Sequence, residues 1–506
     1  MFIDNEQLRV IVKTIFPIPK HYLLEMEDSI PKGNEQERCF IWEDPENRDN
    51  KIEIALDLTT GLLTRLEIDL EYKDESKQKP KELNGDEEAK NIADAFVAKH
   101  APNSAEFTSV IVKKRPDGTE FIFRQEVGGL PLPHTGCDLI LDRELNVVRF
   151  RLKGRGNQKT QKPEWPDAIV DEKTVTWYIQ NNLRMKLAIV SLHPTLYEMK
   201  GTEHEYRLVY EPIPDRPFLD AVTGVDIFGP EHYVMPPSHP LPPIESMPKP
   251  SYDKALSLEQ LLDIDIERYV LEKSEDDGER IKSLYQLRER EEKNPETEAL
   301  TADAYMERKW GDKLRIFRES AIMVQLEKKT GRLVGFHRMG WNKVGIPSLS
   351  REQCWQKAEH FLGIVFPDYA RYLQLEIDNE KLDGEPRERE FFYLPVYIDG
   401  IPVNHERITI SINTSTGDVC TYIGVSYEMI QELSDRSFLP NITPEVAFDR
   451  YIENLQLRLK WFLDNDQEVP LYRLLYVPTT LSANDPEGDR TLRYIDAVTG
   501  EHIWRK

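Results

Sequence analysis

The chain has 506 residues, with 90 Asp and Glu against 66 Lys and Arg and a formal net charge of −24. So acidic a balance excludes a general binder of nucleic acid or of anionic membrane, because both reward Lys and Arg. No apolar run approaches the length of a membrane span, and the length exceeds one ordinary core, so two to four domains are expected.

Asp4 and Glu6 stand where an export signal needs a basic start and an unbroken apolar core, so the expected location is the cytoplasm. Cys39, Cys137, Cys354 and Cys420 lie far apart with no paired spacing, which predicts reduced, buried thiols. The first hairpin is expected within Phe40 to Leu70, where Ile54, Leu56, Leu63 and Leu66 flank the turn Asp57 to Gly61. Its leading acid can accept bonds from the turn backbone, and its fifth residue needs a positive φ, which Gly adopts freely.

A helix follows over Asp86 to Lys99, with Ala89, Ile92, Ala93, Phe96 and Val97 on one face. Strands then run past Gly129-Leu130-Pro131 to a second turn, Asp142 to Asn146. Here Asn146 stands in for Gly, as the non-glycine residue that best tolerates a positive φ. Beyond it, Arg149 to Lys162 is basic and free of acid. Arg149, Arg151, Lys153 and Arg155 are the candidate anion-binding residues. The competing reading is the outward face of a hairpin strand, because Arg149, Arg151 and Lys153 alternate with Phe150 and Leu152.

Next comes a helix with Val175, Tyr178, Ile179 and Asn182 on one face, then the strand Tyr206 to Pro212. Its partner turn is Asp220-Ala221-Val222-Thr223-Gly224. Pro230 to Pro250 is proline-rich and reads as an extended linker. Leu256 to Asp263 reads as a short helix, and the dense charge of Ser274 to Glu298 as a solvated helix or loop.

The remainder repeats the first half. Tyr269-Val270-Leu271-Glu272 answers to Tyr22-Leu23-Leu24-Glu25, and Gly400-Ile401-Pro402 to Gly129-Leu130-Pro131. Tyr472-Arg473-Leu474 answers to Tyr206-Arg207-Leu208. The turns recur at Glu327 to Gly331, Asn413 to Gly417 and Asp496 to Gly500, where the last copies Asp220 to Gly224 letter for letter. A hairpin is expected over Lys313 to Met339, and Cys354, Ala358, Phe361 and Leu362 are expected to form the apolar face of the helix matching that at Asp86. Thr443 and Pro444 read as N-cap and first residue of a helix whose Phe448, Tyr451, Ile452 and Leu455 match Val175, Tyr178, Ile179 and Asn182. The loop Ser482 to Arg490 reads as an insertion.

The expected fold is α+β, a tandem duplication in which one helix packs on a small antiparallel, hairpin-closed sheet. Residues 1–229 form the first repeat, with units of about 1–80, 81–165 and 166–229. Residues 230–250 link it to the second, 251–506, with units of about 251–345, 346–435 and 436–506. The two Asp-Ala-Val-Thr-Gly turns, the Tyr-Arg-Leu strands before them and the Gly-Ile-Pro-Val step resemble the YcdB/YcdC repeat family. That family is similar to PepSY-type modules, and the resemblance covers most of the chain. It implies no catalytic residues and points to a binding or regulatory part, including modulation of a peptidase. Many relatives are exported, and the start of this chain departs from that pattern.

Nucleophile, zinc and phosphate-loop motifs are absent, and the eleven histidines show no metal-ligand spacing. The expectation is therefore no catalytic, metal or cofactor residue, with a peptide or protein as partner. One alternative is a hydrolase using carboxylates between the halves; another is a structural spacer. Tyr206, Tyr210, Tyr472 and Tyr476 are spaced to share sheet faces, which predicts core packing over a ligand groove.

Overall fold

The computed structural model describes residues 3–29, 36–69, 86–154, 161–199, 201–233, 236–242, 257–288, 299–318, 321–339, 345–377, 387–466, 469–480 and 490–506. The first unit comprises α1 (Asn5–Ile15), β1 (Leu23–Asp28), β2 (Glu37–Glu43), β3 (Lys51–Asp57) and β4 (Leu63–Asp69). The second comprises α2 (Asp86–His100), β5 (Ser109–Arg115), β6 (Gly118–Arg124), β7 (Glu126–Val127), β8 (Leu130–Pro131), β9 (Cys137–Asp142) and β10 (Val147–Leu152). The third comprises α3 (Glu172–Asn182), β11 (Arg184–Leu192), β12 (Glu205–Ile213) and β13 (Leu219–Asp220). A short strand, β14 (Ser238–Pro240), lies in the proline-rich stretch.

The second half repeats this order. Its first unit has α4 (Leu258–Leu261), β15 (Tyr269–Asp276), β16 (Arg280–Leu287), α5 (Ala302–Arg318), β17 (Ala321–Glu327) and β18 (Leu333–Arg338). Its second has α6 (Arg351–Val365), α7 (Tyr369–Tyr372), β19 (Gln374–Glu376), β20 (Arg389–Ile398), β21 (Ile401–Asn413) and β22 (Val419–Ile423). Then come α8 (Tyr427–Ser434), α9 (Pro444–Ile452), β23 (Leu455–Asp464), β24 (Leu471–Thr480), β25 (Thr491–Asp496) and β26 (His502–Arg505).

The duplicated α+β fold is as expected, but the units do not stay separate. β4 pairs with β10, which joins the first two units edge to edge in the order β1-β2-β3-β4-β10-β9-β6-β5. β18 and β22 make the equivalent joint in the second half. Helices α1 and α2 cover one face of the first sheet. Leu8, Val12, Ala89, Ala93 and Val97 meet Ile54, Leu66, Phe121 and Phe150 there. Burying each large aliphatic side chain stabilises the fold by about 1.5–3 kcal/mol. Cys354, Ala358, Phe361 and Leu362 of α6 are buried, as the helical spacing predicts.

The turns behave as the sequence indicates at five of six sites. At Asp220 the carboxylate accepts from the backbone N–H of Val222 and Thr223, each at 2.9 Å, and Gly224 takes φ 72°. At Asp142 to Asn146 the expectation fails. Leu145, not Asn146, adopts the positive φ (65°), while Asn146 bonds Asp142 through its side chain at 3.1 Å. That turn closes one residue earlier, with the Leu145 N–H on the Asp142 carbonyl. The Asn amide is thereby spent on the turn acid instead of on the left-handed corner.

Charge density misled in one place. Of the run Ser274 to Glu298, Ser274 to Asp276 and Arg280 to Leu287 are strand, in β15 and β16 around a short turn, and residues 289–298 lie outside the described residues. Alternate charges on both faces of a solvated hairpin look like a helical surface when only density is weighed. The hairpin expected from Lys313 starts at Ala321, because α5 extends to Arg318. The short helix α4 forms behind a Ser257 capping box. Thr443 caps α9 with Pro444 in its first turn. Asp171 caps α3, and the caps place Val175 and Ile179 level with Ala447 and Tyr451. The matching of those helices from sequence was therefore one residue out. The insertion loop lies outside the described residues except for Arg490.

The third units are where the halves meet, and they exchange strands. β12 of the first half pairs with β25 of the second, Tyr210 opposite Ile495. Reciprocally, β13 pairs with β24, Leu219 opposite Tyr476. Each Asp-Ala-Val-Thr-Gly strand thus lies on the Tyr-Arg-Leu strand of the other half. The Tyr210 hydroxyl donates to the Ile442 carbonyl at 3.0 Å, and the Tyr476 hydroxyl to the Val170 carbonyl at 2.8 Å. Arg207 faces Asp496 and Arg473 faces Asp220, both at 3.6 Å. The tyrosines are core residues, as expected, and Tyr472 is half-buried with its hydroxyl on the Pro133 carbonyl. β11 also meets β21 in parallel at Ile189 and Val403, so one sheet runs from β15 to β26 across both halves.

A second clasp is α5, which lies on the outer face of the first sheet. Tyr305 packs with Met26, Cys39, Ile41 and Ala55. Its hydroxyl donates to buried Glu43 at 2.6 Å, and Lys309 pairs with the same carboxylate at 2.5 Å.

Candidate functional site

Three places could carry function. The first is a cavity of about 400 Å3 between the halves, lined by residues that include Asp220, Asp226, Phe228, Phe462, Asp466 and Arg473. Asp220 and Asp464 hold the junction through Arg473, and Asp226 is tied within its own half. Arg473 bridges Asp464 at 2.9 Å and Asp220 at 3.6 Å. Asp226 accepts from the Tyr233 hydroxyl at 2.9 Å and the Phe228 N–H at 3.2 Å. Among the described residues no group of three or more His, Cys, Asp or Glu is arranged to hold a metal ion.

The second is the basic strand. Arg149 and Arg151 do alternate with buried Phe150, so they point to the outer face of the first sheet. Arg149 pairs with Glu67 at 2.5 Å and Lys153 with Asp138 at 2.8 Å, while Arg151 is exposed. Arg155 lies outside the described residues. Register shows what surrounds them. Glu67, Arg149, Ile140, Glu120 and Lys113 form one row across four strands and the adjoining edge. Arg65, Arg151, Asp138, Ile122 and Ile111 form the next. Arg124, which bridges Asp138 at 2.6 Å, and Arg115 at the end of β5 add to the basic excess. In an acidic chain, the part of this face nearest β5 carries more base than acid, while Glu37, Glu43, Glu53 and Asp69 balance it farther from that edge. The Asp138 carboxyl is displaced upward by burial, but hydrogen bonds and charge from Lys153 and Arg124 outweigh this and leave it below its ordinary value.

The third is the sheet edge reached by those rows. β5 is the last strand of its sheet, pairing with β6 from Ser109 opposite Arg124 to Arg115 opposite Gly118. Among the described residues no strand pairs with its other side. Two aliphatic residues in its middle, Ile111 and Val112, are 42% and 49% exposed. Natural edges are usually protected by inward charges, bulges or cover. The β15 edge follows that rule, since Glu272, Lys273, Glu275 and Asp276 mix both signs along it. β5 carries such charge at one end only: Lys113, Lys114 and Arg115 follow an aliphatic run, Val110 to Val112, that has none.

The equivalent edge in the second half is covered. β19 lies beside β20, with Leu373 bridging Val396. On its far side β14 adds antiparallel, pairing Ser238 with Glu376 and Pro240 with Gln374. The Ser238 hydroxyl donates to the Gln374 side chain at 2.8 Å, and the Ile377 N–H bonds the Pro237 carbonyl at 2.7 Å. The proline-rich stretch is thus more than a spacer, because part of it is a strand laid on an edge. None of the β5 residues was singled out from sequence. The run Ser109 to Arg115 before the turn residues Asp117-Gly118 was the available signal, but alternation cannot tell an edge strand from a central one.

The family described as the YcdB, YcdC repeated domain matches residues 5–154 and 291–426. The uncharacterized protein YcdC of Bacillus subtilis (strain 168) is 25% identical over 493 residues, covering 95% of this chain and 98% of that one. The uncharacterized protein YcdB of the same strain is 25% identical over 520 residues, covering 99% and 98%. Among solved structures, the Bacillus megaterium YpeB C-terminal domain is 12% identical with a TM-score of 0.27, covering 44% of this chain and 96% of that one, a likeness too slight to carry an argument. The first matched region spans the first two units of its half, the second begins after β16 and runs through β22, both leave the strand-exchanging third units outside, and the chain belongs to the YcdB/YcdC repeated-domain family.

Proposed function

We propose that the protein is a non-enzymatic binding module that takes an extended segment of a protein partner onto β5. The observation that carries this is the contrast between twin edges: β19 bears a strand of the chain itself, and β5 bears none among the described residues. Main-chain hydrogen bonds supply affinity in such strand addition, and neighbouring side chains supply selectivity. No catalytic residue is required for it. A partner of this kind includes a peptidase whose activity the chain modulates. The hydrolase alternative has the inter-half aspartates in its favour, but their ion pairs and turn bonds give them a structural task already.

The test is selection of extended peptides from a random library on the immobilised full chain, followed by binding to Ile111→Pro and Val112→Pro variants. Proline removes an N–H and breaks an edge as template. Neighbouring strand residues point their N–H groups to opposite sides, so one of the two variants strikes the outward edge. That variant should lose the selected peptides while Ser274→Pro, on the β15 edge, keeps them. Equal binding by all three, or no enriched peptide, would overturn the reading.

A further inference from the structure

We infer that the segment received by β5 runs antiparallel to it and carries acidic residues on the N-terminal side of β-branched apolar ones. This rests on the reading of β5 as a receiving edge and adds the chemistry and direction of what it receives. Direction follows from the internal precedent, since β14 is antiparallel to β19, the twin of β5. An antiparallel segment places its N-terminal end beside Arg115 and its C-terminal end beside Ser109. Chemistry follows from the order of residues along β5. Val110, Ile111 and Val112 occupy the half near Ser109, and Lys113, Lys114 and Arg115 the other half.

Each face of the edge reads the same way. On the outer face Ile111 continues the row of Arg151, Asp138 and Ile122, and Lys113 the row of Arg149, Ile140 and Glu120. On the helix face Val112 lies beside Phe121, and Lys114 beside Thr119. Arg115 is shared with Glu120 at 2.8 Å, and on the same face Arg65, Arg149 and Arg124 bridge Glu53, Glu67 and Asp138, so exposed Lys113 on the edge and exposed Arg151 behind it supply the charge for an incoming acid. Opposite charges directly across a strand pair are favourable and like charges unfavourable, as are aliphatic pairs against polar mismatches. The second half supplies the contrast. Its equivalent outer row is His337, Thr421, Ser411 and Phe391, without acid-base alternation, and its covering strand reads Ser-His-Pro without an acid. Acid preference is thus a property of the first-half edge.

The probe is a fluorescently labelled peptide Glu-Asp-Glu-Val-Ile-Val-Thr titrated with the full chain by anisotropy. Three comparators are a Lys-Arg-Lys-Val-Ile-Val-Thr peptide, the reverse-order peptide, and the parent with alternate backbone nitrogens methylated. The parent should bind about tenfold more tightly than the basic and reversed peptides, with weakening as salt is raised. Lys113→Glu combined with Arg151→Glu, both exposed, should invert the preference toward the basic peptide, with an unchanged thermal melt confirming the fold. If the basic or reversed peptide binds as well as the parent while the methylated one fails, the edge reading stands and this inference is overturned. If the methylated peptide binds as well as the parent, the edge reading itself fails.

Discussion

Leu219→Ala is the sharpest probe of how the halves are joined. Leu219 has no exposed surface and lies opposite Tyr476 on a strand of the other half. It belongs to the large core shared by Val175, Leu474 and Ala497. Truncating a fully buried Leu costs about 2–5 kcal/mol, the transfer term plus the cavity left behind. The expected loss here is about 3 kcal/mol, because β13 is short and its neighbours can only partly close over the gap. By the tenfold-per-1.4 kcal/mol rule, amide exchange should quicken by about a hundredfold where the strand is received. Hydrogen–deuterium exchange read by mass spectrometry locates that place. Strand exchange predicts the largest gain in β23 and β24, residues 455–464 and 471–480, although the substitution sits in the first half. If β11 and β12 quicken and β23 and β24 do not, the pairing across halves is refuted.

Other outcomes follow from burial and charge. Burial pushes the Cys39 and Cys137 thiols up to about 12, and raises those of Cys354 and Cys420. A thiolate reagent at pH 8 should therefore leave all four unmodified in the native chain and label four after unfolding in urea. Lys309→Met leaves the Glu43 carboxylate buried without its cation and should cost about 3–5 kcal/mol by urea unfolding. A loss below 1 kcal/mol would show that α5 is not clasped there. Because the folded-state pKa of Asp138 is depressed from 3.8, its stabilising effect is complete above that value and is lost as pH falls through the lower folded value. Asp138→Asn should cost about 1–2 kcal/mol at pH 7, and the difference from the parent should shrink below about pH 4.

The duplication, helices α2, α3, α4, α6 and α9 and most turns were legible because each has a local cause, whereas α1, α5, α7 and α8 were not read from the sequence. Ala89, Ala93 and Val97 repeat at helical spacing, and the Asp four residues before Gly closes its own turn, its carbonyl accepting from the Gly N–H and its carboxylate from the N–H groups between. Leu145 was not legible, since the turn there is shortened by a side-chain bond that Asn146 makes to Asp142. The strand exchange was beyond local reading for a different reason. Asp220 and Asp496 sit in identical sequences with equivalent Tyr-Arg-Leu strands, so pairing within a half and pairing across halves satisfy the same pattern. Only the shared core decides between them. Of the candidate basic residues, Arg149, Arg151 and Lys153 were placed on the correct face by alternation. Their significance depends on Lys113 and Ile111, which are distant in sequence and brought alongside by register.

The most direct measurement is hydrogen–deuterium exchange of the full chain with and without the acidic, β-branched peptide. The account predicts slowed exchange confined to the amides of Ser109 to Arg115 on the outward side of β5. Unchanged exchange there, or protection at the β15 edge from Tyr269 to Asp276 instead, would contradict it.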